Sequence, residues 1–347
     1  MVDERVLTRV AAAPGSAAGR SRPGVVLALL GAAGFATSGP VSESVLAAGF
    51  SPMELSQIRQ TVSAAVLLLG VGLLRPRSLR IRPRQLPMLA VYGITSYLLL
   101  QTFYFEAISR IPIGIALLIQ FTAPVWVALW VRLVRGTRLP TTTWAGMALV
   151  LTGLVFVGQV WRGGGGLDPV GMAAAAATAL CLTCFYLFAE RGLSDFDPLG
   201  LVTWGAASAA VMFAVIRPVW TFPFERLTAA GGLPRFSQPV WVLVLVVGVL
   251  STALPAVSEV AALRYLASPT ASVLGTAEVV LGALLAWLLI DEVLTWPQAL
   301  GGLVVLLGIA LAQLRPLVQT ELGPPTDVVA PRPHHDPVPD QPERASS

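Results

Sequence analysis

Apolar stretches of about 20 residues follow one another through most of this chain, separated by short polar or glycine- and proline-rich links. As a helix, that length spans the roughly 30 Å hydrocarbon core of a bilayer. Lipid offers an exposed backbone no hydrogen-bond partner, so such stretches must be helical. Spans are predicted near 24–41, 55–74, 86–106, 112–134, 141–160, 169–189, 198–217, 240–262, 267–290 and 296–314. The run from Gly24 reads as a retained first span rather than a cleaved signal. Composition agrees: 55% of residues are hydrophobic and 12% charged, too few charges to cover a water-soluble domain of this length.

A net charge of +4 does not point to nucleic acid. The chain has no lysine, and its arginines cluster in the short links, as membrane topology demands. With the N-terminus inside, inner segments carry 13 arginines within ten residues of a span end and outer segments 5, which predicts both termini in the cytoplasm of a plasma (inner) membrane protein. The bias comes from the first half, at Arg75–Arg84 and Arg132–Arg138 above all.

Residues 107–153 fall on 262–308 at one ungapped offset of 155. Ala107 then meets Ala262, Ala116 meets Ala271, Leu139 meets Leu294, Gly146 meets Gly301 and Gly153 meets Gly308. One register across two spans and their link points to a duplication. Five spans per half is an odd number, so the second half enters the membrane the other way up. The predicted fold class is an all-α membrane protein of ten transmembrane helices in two inverted five-helix repeats, with its site at the repeat interface. The division is 1–23, a cytoplasmic N-terminal segment; 24–160, the first repeat; 161–168, a linker; 169–314, the second repeat; and 315–347, a proline-rich, charged, disordered cytoplasmic tail. Residues 218–239 are expected along the membrane interface.

Charge inside a span is costly and is a functional hypothesis by default. Arg59, Glu259 and Glu278 qualify. Ala271, Gly275, Glu278 and Gly282 share a helical face, and Gln120 enriches the matching stripe of the fourth span. Glu259 lies with Thr252 and Ala256, and the repeat equates that face with Tyr97, Gln101 and Tyr104. The functional reading is a substrate pathway lined by Arg59, Tyr97, Gln101, Tyr104, Gln120, Glu259 and Glu278. Its carboxylates bind a cationic group or a coupling proton. The competing reading is structural: interhelical hydrogen bonds, a snorkelling arginine and aromatic belt residues. Cys181 and Cys184 have CxxC spacing but no second pair or histidine to complete a zinc site. No aspartate or histidine lies well inside a span, so no catalytic residue, metal or cofactor is expected.

Several of these features together resemble the EamA family of the drug/metabolite transporter superfamily. They are the five-plus-five arrangement, Arg59 after Ser51-Pro52, Gly146 and Gly301 opening the last span of each half, and Asp291-Glu292 after the ninth span. Ile111–Ala116 with Phe121-Thr122-Ala123-Pro124, and Ser251–Pro255 followed by Glu259, are similar to the threonine/homoserine exporter branch. The resemblance covers residues 24–314. It implies secondary export of a small metabolite, often an amino acid, by a monomer or homodimer, driven by the proton or substrate gradient. In many members a proline follows the glutamate matching Glu278. Here Val279 stands, so the helix break it would cause is expected to be missing from the second half, while Pro124 keeps one in the first. The first half has Thr137 where Glu292 matches. These departures argue against a symmetric two-site mechanism. A non-transporting sensor or scaffold is the alternative the residues leave open.

Overall fold

The structure, a computed structural model, describes residues 15–162, 168–233, 236–290, 293 and 295–314. The predicted tail 315–347, most of the linker 161–168, the first 14 residues and the Asp291-Glu292 pair lie outside the described residues.

Nine helical segments among the described residues are long and apolar enough to cross a membrane. They are α1 (Arg22–Ala47), α2 (Pro52–Leu74), α3 (Pro83–Ile108), α4 (Ile113–Leu133), α6 (Pro169–Gly192), α7 (Pro198–Ile216), α8 (Val240–Ala262), α9 (Ser268–Leu289) and α10 (Trp296–Gln313). Between α4 and α6 lies a shorter apolar helix, α5 (Thr141–Val157). Its 17 residues extend about 25 Å, a little short of the hydrocarbon core. Residues 218–239 form two 3-10 turns and an antiparallel hairpin, Ala230–Leu233 with Phe236–Pro239. Phe222 in this segment is buried against Phe50, ring centroids 5.7 Å apart.

The helix starts are written in the sequence. Ser51 and Glu54 form a reciprocal capping box ahead of Pro52. Thr295 and Gln298 do the same ahead of Pro297. Asp168 accepts from the N–H groups of Val170 and Gly171 at 2.7 and 3.0 Å. The Gly171 bond foremost, with help from Val170 and Arg110, holds that carboxyl below its ordinary range.

Irregularities recur at repeat-equivalent places. Helix α3 loosens into a π-turn at Ile94–Leu99 and α8 into another at Val249–Ala253, starting 155 residues later. Thr252, in the second π-turn, donates its hydroxyl to the Val247 carbonyl at 2.7 Å, so the widened turn leaves that acceptor satisfied. Helix α4 is interrupted between Gln120 and Ala123, and α9 between Gly275 and Ala277. The second interruption corrects the expectation drawn from Val279, because no proline is needed there. Thr276 sends both its N–H and its hydroxyl back to the Val273 carbonyl, at 3.2 and 2.6 Å. Thr122 treats the Ile119 carbonyl the same way, at 3.1 and 2.7 Å. These short-range bonds compete with the helical ladder and end it locally.

The two last helices, α5 and α10, form the most extensive helix pair. They cross antiparallel, Gly146 against Gly308 and Gly153 against Gly301. Each glycine thus packs against the repeat mate of the other. The core elsewhere rests on α1 against α8, α6 against α3, and α2 against α7. Leu73, Leu74, Val215 and Leu303 are exposed on the outer surface, the expected position for lipid-facing side chains.

Candidate functional site

The interrupted helices and π-turns surround one large cavity of about 660 Å³, bounded by residues of both halves. This volume lies within the roughly 300–1,000 Å³ range of small-molecule sites. All seven pathway residues predicted from the sequence border it: Arg59, Tyr97, Gln101, Tyr104, Gln120, Glu259 and Glu278. The mouth is formed by exposed Glu43, Ile113 and Val293. The floor is formed by Tyr97, Tyr186, Glu259 and Gly275, of which the three with side chains are buried.

Among the described residues, one guanidinium and two carboxyl groups occupy the interior. Arg59, 6% exposed, donates from Nε to Thr252 Oγ1 at 3.1 Å and more distantly from Nη2 to the Ser251 carbonyl at 3.5 Å. The π-turn of α8 therefore positions the guanidinium. Glu278, in the first turn of the half-helix Ala277–Ile290, borders the same space as Arg59, and their charges act on each other. No ion pair within 4 Å joins them among the described residues. The positive end of a helix dipole favours a carboxylate at this place.

Glu259 is different. It is 5% exposed and accepts from the Tyr186 hydroxyl at 3.1 Å. Gly31 of α1 packs directly on its side chain. Tyr92 and Tyr97 share a hydrogen bond at 3.3 Å, and their rings pack with Phe185 into an aromatic wall. Gln60 Oε1 and Ser96 Oγ are buried polar atoms without a partner among the described residues, and both residues also border the cavity. They add hydrogen-bonding capacity that a ligand or water can meet.

Sequence reasoning missed Tyr186, Gln60 and Ser96. The signal for Tyr186 was a polar ring deep in an apolar span, beside Phe185. Gly275 was singled out as part of a small-residue stripe, and its role is now specific. A Cβ there would collide with the Tyr186 hydroxyl and stand 3.1 Å from Glu259 Oε1. Gly275→Ala should displace that hydroxyl and break its bond to Glu259. A hydrogen bond to a charged group is worth about 1.5–3 kcal/mol, so any activity that depends on this pair should fall roughly tenfold or more with the fold retained. Tyr186→Phe should reproduce the loss. Activity equal to native for both variants, in protein of native thermal stability, would remove the Tyr186–Glu259 pair from the functional site.

The EamA-like transporter family model matches the chain twice, over residues 22–159 and 169–314. The threonine/homoserine exporter RhtA of Salmonella typhimurium (strain SL1344) is 30% identical over 244 residues, covering 69% of this chain and 76% of that protein. The threonine/homoserine exporter RhtA of Escherichia coli (strain K12) is 30% identical over 250 residues, covering 70% of this chain and 78% of its own length. One solved crystal structure superposes with a TM-score of 0.65 over 85% of this chain and 98% of that one. At 22% identity it bears on the fold alone.

Proposed function

Because the chain belongs to the EamA-like transporter family, a family of transporters rather than enzymes, we propose that it exports a small zwitterionic metabolite by alternating access. An amino acid of the threonine or homoserine kind is the leading candidate, by analogy with the similar exporters. The observation that carries this reading is the placement of Arg59 and Glu278 around one cavity. A guanidinium suits the carboxylate of an amino acid and a carboxylate suits its ammonium group. Neither group is consumed by a direct ion pair with the other.

The architecture we infer is ten crossings in two inverted repeats, with α5 as the tenth. Two observations support it. The glycines of α5 and α10 pack antiparallel and each meets the other's repeat mate, the relation a two-fold axis in the membrane plane produces. The paired π-turns and paired helix breaks recur at equivalent positions. Both termini lie in the cytoplasm, on the arginine distribution. The cavity mouth then faces outward.

Proton coupling is assigned to Glu259. It sits at the cavity floor, held by Tyr186 and away from bulk water, where a carboxyl can take up and release a proton as access alternates. The test uses proteoliposomes loaded with threonine or homoserine. Native protein should show counterflow and also uphill transport driven by a pH gradient. Glu259→Gln should keep counterflow and lose the gradient-driven component. Undiminished uphill transport by that variant would exclude Glu259 as the coupling group. No counterflow of any amino acid would reject the cargo class.

A further inference from the structure

We propose that Arg135, Glu190 and Ser268 form a one-sided polar lock that holds the cavity shut at its floor, and that the protein rests open at the Glu43 end because no such lock joins the described residues there. This rests on the alternating-access reading.

The three residues come from the ends of three helices and from both halves. Arg135 lies just beyond the C-terminal end of α4, Glu190 in the last turn of α6, and Ser268 is the first residue of α9. Glu190 Oε2 accepts from Arg135 Nη1 at 2.7 Å and from the Ser268 hydroxyl. Glu190 is only 6% exposed, so water screens this pair far less than a surface ion pair. Its other oxygen, Oε1, has no partner among the described residues. The contact therefore holds without being saturated, as a joint that must open requires.

The lock sits one helical turn below the site. Tyr186 and Glu190 are i and i+4 on α6, so they share a face. Tyr186 touches Gly275 and Glu259 at the cavity floor, while Glu190 ties α6 to the start of α9. Parting α6 from α9 at Ser268 is the movement that opens the floor.

The repeat explains why the closure is one-sided. For α4 and α9 the offset is 155, which equates Ser268 with Ile113 and Arg135 with Ile290. For α1 and α6 the offset is 147, because Gly24 and Gly171 occupy the same place. A Cβ on Gly24 would stand 2.7 Å from Leu266 and one on Gly171 2.8 Å from Ile111, two residues that are themselves repeat mates. The two family matches, starting at residues 22 and 169, carry the same offset. Glu190 is thus the mate of Glu43. The carboxylate is duplicated, but its serine and arginine are replaced by isoleucines. Glu43 and Ile113 both border the cavity mouth and are exposed there. If the halves exchange conformations, Glu43 closes against Ile113, whose side chain supplies no donor. Burying a carboxylate without a partner is unfavourable, so the closed-mouth state is the higher one.

The test reads sidedness, which a merely structural role would not move. Ala283→Cys, on the cavity wall, is placed in a Cys181→Ser/Cys184→Ser background and labelled with a membrane-impermeant maleimide from either side of oriented vesicles. The intact lock should label faster from the mouth side. Glu190→Gln, and separately the more exposed Arg135→Gln, should lower the ratio of the two rates about tenfold and raise labelling from the floor side. Ile113→Ser, which restores the hydroxyl of Ser268 at its repeat-equivalent position by the Glu43 mouth, should favour the closed-mouth state and lower the ratio as well, by slowing labelling from the mouth side. A ratio unmoved by both lock variants, in protein that still shows counterflow, overturns the lock and leaves the export reading standing. A shifted ratio in protein with no counterflow of any amino acid keeps the lock and overturns the cargo reading.

Discussion

Glu278→Gln should reduce threonine or homoserine counterflow about 100-fold while the protein remains folded. Removing one partner of a buried charge interaction costs on the order of 2–5 kcal/mol, much of it from stranding the other charge. Here the stranded groups are the substrate's ammonium and Arg59, whose charge acts on Glu278 across the cavity. The amide keeps the shape of the carboxylate, so packing around Gly282 and Ala283 is undisturbed. The loss should appear mainly as a raised apparent KM, because the missing contact is one of ground-state binding. Arg59→Gln should weaken transport through the other end of the substrate. It should also disturb the α8 π-turn, because Arg59 hydrogen-bonds Thr252 there. An amine lacking the carboxylate should therefore be less affected by Arg59→Gln than an amino acid is. Native rates for Glu278→Gln would remove the central residue of the proposed binding mode.

The second large effect concerns assembly rather than chemistry. Gly153→Val combined with Gly301→Val should abolish the α5–α10 pair. A Cβ on Gly153 would stand 2.7 Å from the Gly301 carbonyl oxygen, and one on Gly301 would stand 2.6 Å from that of Gly153. The obstacle in both directions is backbone, which no rotamer change can move. Overpacking costs about 1–3 kcal/mol at a single site, and two such sites on the most extensive helix pair are expected to exceed what the fold tolerates. In lipid no hydrophobic force compensates, because close backbone packing is itself the attraction. The readouts are yield of monodisperse protein and thermal stability in detergent. A double variant as stable as native would show that the two halves are held together elsewhere.

Much of this architecture was legible in the residues. The offset of 155 predicted which helices are equivalent, and the described structure places a π-turn and a helix break at matching positions in each half. The charged and polar residues singled out within spans all border one cavity, because burying them in protein is the only inexpensive alternative to lipid. The break at Thr276 was not legible. Proline signals an interruption by itself, whereas a threonine hydroxyl bonding back to Val273 is compatible with an unbroken helix elsewhere. Tyr186 was missed for a related reason. A tyrosine in a span serves equally as a belt residue, and only its approach to Glu259 from another helix assigns it to the floor.

The sequence by itself determined the helices, their duplication and the carboxylates Glu259 and Glu278 that cannot face lipid. These follow from local length and hydropathy, since a bilayer forces every backbone hydrogen bond to be made inside the structure. Only the tertiary structure decided which faces meet. It brought Arg59 and Glu278 to one cavity, seated Tyr186 against Gly275, and joined Glu190 to Arg135 and Ser268 while leaving its repeat mate Glu43 exposed. In water an apolar stripe marks the buried side of a helix. In lipid both sides are apolar, so that mark is absent, and the partners emerge only when all the helices are packed together.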